Sequence, residues 1–198
     1  MSAIDPAGIT AAILAGGEGR RVDGQDKGLL PLAGRPLIAH VIAALRGQTG
    51  AIVICANRNA DRYRQFAPVL ADGLPGFHGP LAGIAAALRA CKSEWLLTIP
   101  VDCPQPTRDL AVRLHAASND HAAVARDGRS RQPLFAMYRR ELADSAAAAL
   151  ARSASVWSWQ DEIGARIVDF SDSSQSLVNL NTFEDFENWE RGGHDRGR

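Results

Sequence analysis

The sequence predicts an α/β fold built on a mostly parallel sheet with helices on both faces. Three observations lead there. Short apolar runs at 12–15, 51–56, 69–71 and 95–101 alternate with helix-spaced segments, the pattern of successive βαβ units. These runs read as buried strands, with Thr98 the one polar residue among them. Each run also ends in residues that can hold a ligand: Leu14–Gly17, Asn57, Asp72 and Asp102. In open parallel sheets, ligands bind in the crevice beyond the carboxyl ends of the strands.

The first strand closes at Ala12–Ala15, and Gly16, Gly17 and Gly19 follow, then Arg20, Arg21 and Lys27. Glycines without Cβ let successive N–H groups close on a polyanion. The three cations supply charge for phosphate oxygens, so the segment reads as a nucleotide triphosphate site. Two commoner phosphate motifs are excluded. The frame Gly17-Glu18-Gly19-Arg20-Arg21-Val22 ends in valine where a dinucleotide fingerprint needs glycine, and the chain contains no Gly-Lys-Ser or Gly-Lys-Thr. The blander reading is a strand-to-helix turn with solvated arginines.

After the loop, Leu29, Leu30 and Leu32 lead into a turn at Ala33-Gly34-Arg35-Pro36, with Pro36 placed to begin a helix. Leu37, Ile38, Val41, Ile42 and Leu45 repeat at helical spacing, and Gly47 supplies the stop. His40, alone on this helix, is assigned a surface or capping role. A second strand at 51–56 leads to Asn57, a short helix follows around 61–66, and a third strand at 69–71 ends at Asp72. Pro80 opens a helix carrying Leu81, Ile84, Ala85 and Leu88. Gly79 and Gly83 keep its opening turns small, which suits either a flat ligand against the backbone or tight helix–sheet packing. The strand at 95–101 delivers Asp102 before Cys103-Pro104 and Pro106 break the chain. An aspartate facing a cationic phosphate loop is best explained by a bound Mg²⁺ that bridges it to phosphate oxygens. The blander alternative is a cap or Asx turn before Pro104.

The second half is less regular. Helices are expected at 109–117, 140–152 and 156–163, and strands at 122–125, 134–138 and 167–170. The charged segment 126–133 reads as hairpin-like, and its three arginines suit a second anionic substrate or a solvated loop. Thr182 and Asp185 form a capping-box-like start for the last helix.

Composition narrows the class. A chain of 198 residues suits one domain spanning 1–198, with flexible ends expected at 1–9 and 192–198. Basic and acidic residues balance at 22 each, so the chain lacks the footprint of a nucleic-acid binder and any anion site is local. The three cysteines, Cys55, Cys91 and Cys103, have neither metal-ligand spacing nor a disulfide pattern. No apolar stretch approaches the roughly 20 residues of a spanning helix, and the N-terminus lacks a signal-peptide pattern. A cytoplasmic protein without membrane partners, acting as a monomer, is expected.

Several motifs occur together and in order: Leu14-Ala15-Gly16-Gly17, Gly19-Arg20-Arg21, Asp26-Lys27-Gly28, Gly34-Arg35-Pro36-Leu37, Gly79-Pro80-Leu81-Ala82-Gly83, Asp102-Cys103-Pro104 and Asn179-Leu180-Asn181-Thr182. The set spans about residues 10–190 and resembles the molybdenum cofactor guanylyltransferases, within the wider nucleotidyltransferase superfamily. The resemblance implies a three-layer Rossmann-like fold and transfer of GMP from Mg-GTP to the terminal phosphate of molybdenum-molybdopterin, with release of pyrophosphate. It implies that Leu14, Ala15, Gly16 and Gly17 hold the guanine nucleotide and that Arg21 and Lys27 engage its phosphates as catalytic cations. Asp72 would contact the nucleotide, Asp102 would bind Mg²⁺, and Asn179 and Asn181 would line the pterin side, with Arg131-Gln132-Pro133 a weaker candidate there. Cys55 stands where a family member is expected to carry asparagine, so the contact falls either to the Cys55 backbone or to Asn57; Gly79 and Gly83 complete the nucleotide side. Gly17 leaves room for a purine where sister cytidylyltransferases carry a bulkier residue. Alternatives are a relative using CTP or a sugar phosphate, and a non-catalytic nucleotide-binding module. A molybdenum-insertion protein is the expected transient partner, because free molybdopterin is labile.

Overall fold

The computed structural model describes residues 4–16, 24–73, 79–119 and 121–192. Within the first half lie β1 (Ile9–Leu14), β2 (Pro31–Leu32), β3 (Arg35–Pro36), α1 (Leu37–Leu45), β4 (Ala51–Cys55), α2 (Ala60–Tyr63), β5 (Val69–Leu70), α3 (Pro80–Ala90) and β6 (Trp95–Pro100). There follow α4 (Leu110–Ala117), β7 (Ala122–Arg126), β8 (Arg131–Arg139), α5 (Ala143–Ala151), α6 (Val156–Glu162), β9 (Arg166–Asp169) and α7 (Phe183–Arg191).

One sheet runs in the order β5-β4-β1-β6-β8-β7-β9. Strands β5, β4, β1 and β6 are mutually parallel, β8 is antiparallel to both β6 and β7, and β9 is parallel to β7. Every residue of β1 and of β6 is buried, Thr10 and Thr98 included, as the apolar character of these strands anticipates. Side chains alternate across the sheet, and the alternation divides the core in two. Ile9, Ala11 and Ile13 pack with Ile38, Val41 and Leu45 of α1 and with Leu110 and Leu114 of α4. Ala12 and Leu14 pack with Leu81, Ile84 and Leu88 of α3, and the same cluster includes Ala146 of α5 and Trp159 of α6. Helices on both faces make this a three-layer α/β fold.

Register then sets the site. Leu14 lies opposite Cys55 on one side and Pro100 on the other. Two further bonds, Ala15 N to Cys55 O at 2.9 Å and Val101 N to Leu14 O at 3.1 Å, carry the pairing to the strand ends. Residues 15–16, 56–57 and 101–102 therefore leave the sheet along one edge.

A smaller cluster of Leu30, Leu32, Leu37, Leu180 and Phe186, with Trp189 against it, fastens α7 beside the site. It depends on a feature absent from the sequence reading, the β2–β3 hairpin. Its two-residue loop, Ala33-Gly34, takes positive φ at both positions (46° and 77°), the twist that tight hairpins prefer. Ala33 has a Cβ and is uncomfortable there; its N–H donates to Glu190 Oε1 at 2.7 Å, which holds the turn against α7.

Two expectations are corrected. His40 is not a surface residue: it is buried, with Nε2 2.7 Å from the Leu32 carbonyl and Nδ1 3.3 Å from Arg35 Nη2. The carbonyl can only accept, so Nε2 carries the proton and a neutral ring braces the hairpin edge-on to Trp189. Strand β8 starts at Arg131 rather than 134, so Arg131-Gln132-Pro133 belongs to the sheet. Paired flanking groups let charged residues stay extended there: Arg131 Nη1 donates to Asp161 Oδ1 at 2.7 Å and its guanidinium lies 4.4 Å over the Trp157 ring.

Candidate active site

The chain's turn at Lys27–Leu29 carries Lys27 across to the end of β6. Lys27 Nζ donates to Asp102 Oδ2 at 3.1 Å and to Asn181 Oδ1 at 2.8 Å. These groups come from residues 75 and 154 positions away in sequence. Both side chains of the Lys27–Asp102 pair are 18% exposed, so the pair is shielded but open on one side. Asp102 also takes part through its backbone: its carbonyl accepts from Leu180 N at 2.8 Å, which draws the 179–181 segment against the site.

Two oxygens here are buried and, among the described residues, have no hydrogen-bond partner: Asp102 Oδ1 and Asn179 Oδ1. Leaving such an acceptor unsatisfied costs about 1–3 kcal/mol, and an orphaned carboxylate oxygen is an appropriate ligand for a hard cation. Among the described residues, no group of three or more His, Cys, Asp or Glu is placed to hold a metal. A lone carboxylate still suits Mg²⁺, which keeps waters and is commonly completed by substrate phosphates. Asp102 therefore fits such an ion without an all-protein cage.

Asn181 is placed by the start of α7. Its N–H and that of Thr182 both donate to Asp185 Oδ2, at 2.7 and 2.8 Å, and Asp185 N donates back to Thr182 Oγ1 at 3.2 Å. This is the capping box, extended by one residue. Burial raises the Asp185 carboxyl, but the two amides, the Thr182 hydroxyl and the Lys27 charge outweigh it and hold the group below its ordinary range. A carboxyl depressed in the folded state stabilises above its unfolded pKa of about 3.9, and that stabilisation fades as pH falls through the folded value. Asp185→Ala is thus expected to lower stability by about 1 kcal/mol near neutral pH. The difference from the unaltered protein should shrink below about pH 4, which denaturation midpoints at two pH values would measure.

Beside the cluster, a cleft opens at the ends of β1, β4 and β5 and the start of α3, lined by Leu14, Gly16, Cys55, Asn57, Asp72, Gly79 and Gly83 among others. Ala15 lies between Leu14 and Gly16 at the edge of the core. Asn57 and Asp72 are tied reciprocally, Nδ2 to Oδ2 at 2.8 Å and Asp72 N to Asn57 Oδ1 at 3.2 Å. Cys55 is buried, and its thiol points at the Gly83 carbonyl at 3.5 Å. Burial first, then the Asp72 charge, pushes this thiol up to about 12, so it stays neutral and packs like a small apolar group. Cys55 therefore offers a cleft ligand little beyond its backbone, while the Asn57 side chain is exposed. Gly79 is held at φ 72°, ψ −177°, a conformation that favours glycine. A Cβ at Gly83 would sit 3.3 Å from Leu14 Cδ2 and 3.4 Å from Cys55, so this glycine also serves tight helix–sheet packing.

The structure thus brings Lys27, Asp102, Asn179 and Asn181 to one point and Leu14, Ala15, Gly16, Cys55, Asn57, Asp72, Gly79 and Gly83 to the adjoining cleft. Gly17 and Arg21 lie outside the described residues. The hairpin arginines are drawn into local pairs: Arg126 with Asp169 at 3.3 Å and Arg131 with Asp161, while Gln132 donates to Asp127. Sequence reasoning missed the support behind Lys27, where Tyr63 and Asn59 hold the neighbouring Asp26.

A charged cluster at the carboxyl edge of a mostly parallel sheet, beside a glycine-lined cleft, is the arrangement in which α/β sheets bind their ligands. The family described as MobA-like NTP transferase domain matches residues 11–166, and the chain belongs to that family. Relatives include the molybdenum cofactor guanylyltransferases of Vibrio cholerae serotype O1, 40% identical over 92% of this chain and 91% of the relative, and of Shewanella amazonensis, 42% identical over 90% and 94%. Among solved structures, molybdopterin-guanine dinucleotide biosynthesis protein A from Archaeoglobus fulgidus superposes with a TM-score of 0.73 at 23% identity, covering 92% of this chain and 97% of that one. The 4-diphosphocytidyl-2C-methyl-D-erythritol synthase of Anaerococcus prevotii reaches 0.70 at 13% identity, over 96% and 97%. At those identities the structural likenesses establish the fold.

Proposed function

We propose that this enzyme transfers GMP from Mg-GTP to the terminal phosphate of molybdenum-molybdopterin, giving the molybdopterin guanine dinucleotide cofactor and pyrophosphate. The observation that carries the chemistry is the Lys27–Asp102–Asn181 cluster with its orphaned Asp102 Oδ1. The names of the relatives supply the substrates.

In this reading a phosphate oxygen of the pterin attacks the α-phosphorus of GTP. The new P–O bond forms as the bond to the bridging oxygen breaks, and its electron pair leaves with pyrophosphate. An ionised phosphate needs no general base. Lys27, already aimed at the cluster, stabilises charge developing on the phosphates, and Arg21 adds a second cation. Asp102, whose Oδ2 keeps Lys27 in place, would hold Mg²⁺ with its remaining oxygen, and such an ion would supply neutralisation of phosphate charge. Leu14–Gly17, Asn57, Asp72, Gly79 and Gly83 hold the nucleotide, with Cys55 contributing backbone only. Asn179 and Asn181 face the pterin side. The long helix α3 presents its amino-terminal dipole to the same cleft, a favourable setting for anions.

Thermal shift with GTP, CTP, ATP and UTP, each with and without Mg²⁺, tests the reading. A ligand that binds only the folded form stabilises it by about 2.7 kcal/mol at a hundredfold excess over its dissociation constant. Selective stabilisation by Mg-GTP is expected. Stabilisation by CTP alone would move the chain to cytidylyl transfer, and no response to any nucleotide would remove the site reading altogether.

A further inference from the structure

Behind Lys27 stands a group of side chains that the transfer reaction does not itself use. Asp26 immediately precedes the lysine. Its two carboxylate oxygens are taken by the two ends of α2: the Tyr63 hydroxyl donates to Oδ1, and Asn59 Nδ2 donates to Oδ2 at 2.9 Å. Tyr63 is fully buried, although it sits in a four-residue helix of otherwise accessible residues. Burial first, then the hydrogen bond to Asp26 and the Asp26 charge, raises the phenol far above its ordinary value, so it is a proton donor at every working pH. Asn59 adopts the left-handed conformation (φ 52°, ψ 30°), a position that asparagine tolerates better than most residues. Its carbonyl accepts from Tyr63 N at 3.1 Å, so the two donors are locked to each other.

The packing explains why the third residue of the Asp26-Lys27-Gly28 turn is glycine. A Cβ on Gly28 would collide with the Tyr63 hydroxyl and with Val101 Cγ2. Tyr63 and Val101, the residue that precedes Asp102, therefore both press on the turn that carries Lys27. Among the described residues, Asp26 makes no ion pair with a lysine or arginine. A free Asp26 carboxylate, one residue from Lys27, would compete for the same ammonium that Asp102, Asn181 and an incoming phosphate share.

We propose that Tyr63, assisted by Asn59, is a positioning residue that sequesters the Asp26 carboxylate and so leaves the Lys27 ammonium directed at substrate phosphate. This rests on the reading above, in which Lys27 engages the phosphates of GTP. Removing the hydroxyl releases one oxygen of Asp26, which then screens Lys27. Removing the Asp26 charge as well abolishes the competitor.

The test compares the unaltered protein with Tyr63→Phe, with Asn59→Gly (which keeps the left-handed backbone and deletes the second donor) and with Tyr63→Phe combined with Asp26→Asn. Mg-GTP affinity is measured by calorimetry, kcat/KM by pyrophosphate release, and folding by melting temperature. Tyr63→Phe and Asn59→Gly are each expected to fold and to weaken Mg-GTP binding and kcat/KM about tenfold, the size expected for one lost hydrogen bond to a charged group. The combined variant should recover most of that loss, an outcome that a merely structural role for Tyr63 would not produce. Unchanged kinetics in both single variants, or a loss that persists in the combined variant, would overturn the proposal. Failure of the unaltered protein to bind Mg-GTP would overturn it too, by removing the functional reading, and is recognised before any variant is compared.

Discussion

Lys27→Ala is expected to slow nucleotidyl transfer about 10²–10³-fold, the loss typical of one preorganised contact to developing charge. It should also abolish stabilisation by Mg-GTP. The lysine is held at 2.8 Å from Asn181 and 3.1 Å from Asp102 before any substrate arrives, so its orientation costs nothing during the reaction. The variant also leaves Asp102 with an uncompensated charge in a largely shielded position. Arginine should be a poor replacement, because its longer planar fork cannot reproduce the point contacts that the ammonium makes with Asp102 and Asn181. Steady-state pyrophosphate release, read with the melting temperature in saturating Mg-GTP, checks both parts.

Asp102→Asn should produce a loss of similar size by a different route. The amide keeps the shape of the carboxylate and one acceptor for Lys27, so the melting temperature of the free protein should change little. The charge that makes the orphaned Oδ1 a cation ligand disappears. GTP should then stabilise the protein equally with and without Mg²⁺, and turnover should fall at least about a hundredfold. A variant that still showed Mg²⁺-dependent nucleotide binding would mean that the ion is held elsewhere.

Much of the fold is legible in the sequence because its central strands are buried on both faces. The end of β1 at Ala12–Leu14 and the strand Trp95–Pro100, broken only by Thr98, read as apolar runs, and α1 and α3 carry their apolar residues at helical spacing behind a proline. Features held by distant partners are not legible. The β2–β3 hairpin has two residues per strand and an alanine where a tight turn usually places Asn, Asp or Gly; Glu190, 157 residues away, stabilises it. His40 looks solvent-exposed on a helical wheel and becomes buried only because the hairpin supplies a carbonyl and Trp189 a face. The start of β8 is obscured by its charged residues, whose partners Asp161 and Trp157 lie on α6.

The candidate site divides in the same way. Strand-end residues announce themselves through position: Gly16, Asn57, Asp72 and Asp102 follow apolar runs, and the parallel register brings their strands level. The contact of Lys27 with Asn181 spans 154 residues and carries no local signal, nor does the Tyr63 hydroxyl beneath Asp26. Physical reasoning on sequence alone locates the edge of the sheet where chemistry occurs. It does not locate the side chains that orient one another there.

The central claim is tested most directly by following the α-phosphate. Purified protein is supplied with Mg²⁺, molybdenum-molybdopterin and either GTP or CTP labelled at the α-position. The account predicts that label from GTP enters the pterin product with one pyrophosphate released per transfer, and that label from CTP does not. Label transferred from CTP in preference to GTP, or pyrophosphate released without label reaching the pterin, would contradict it.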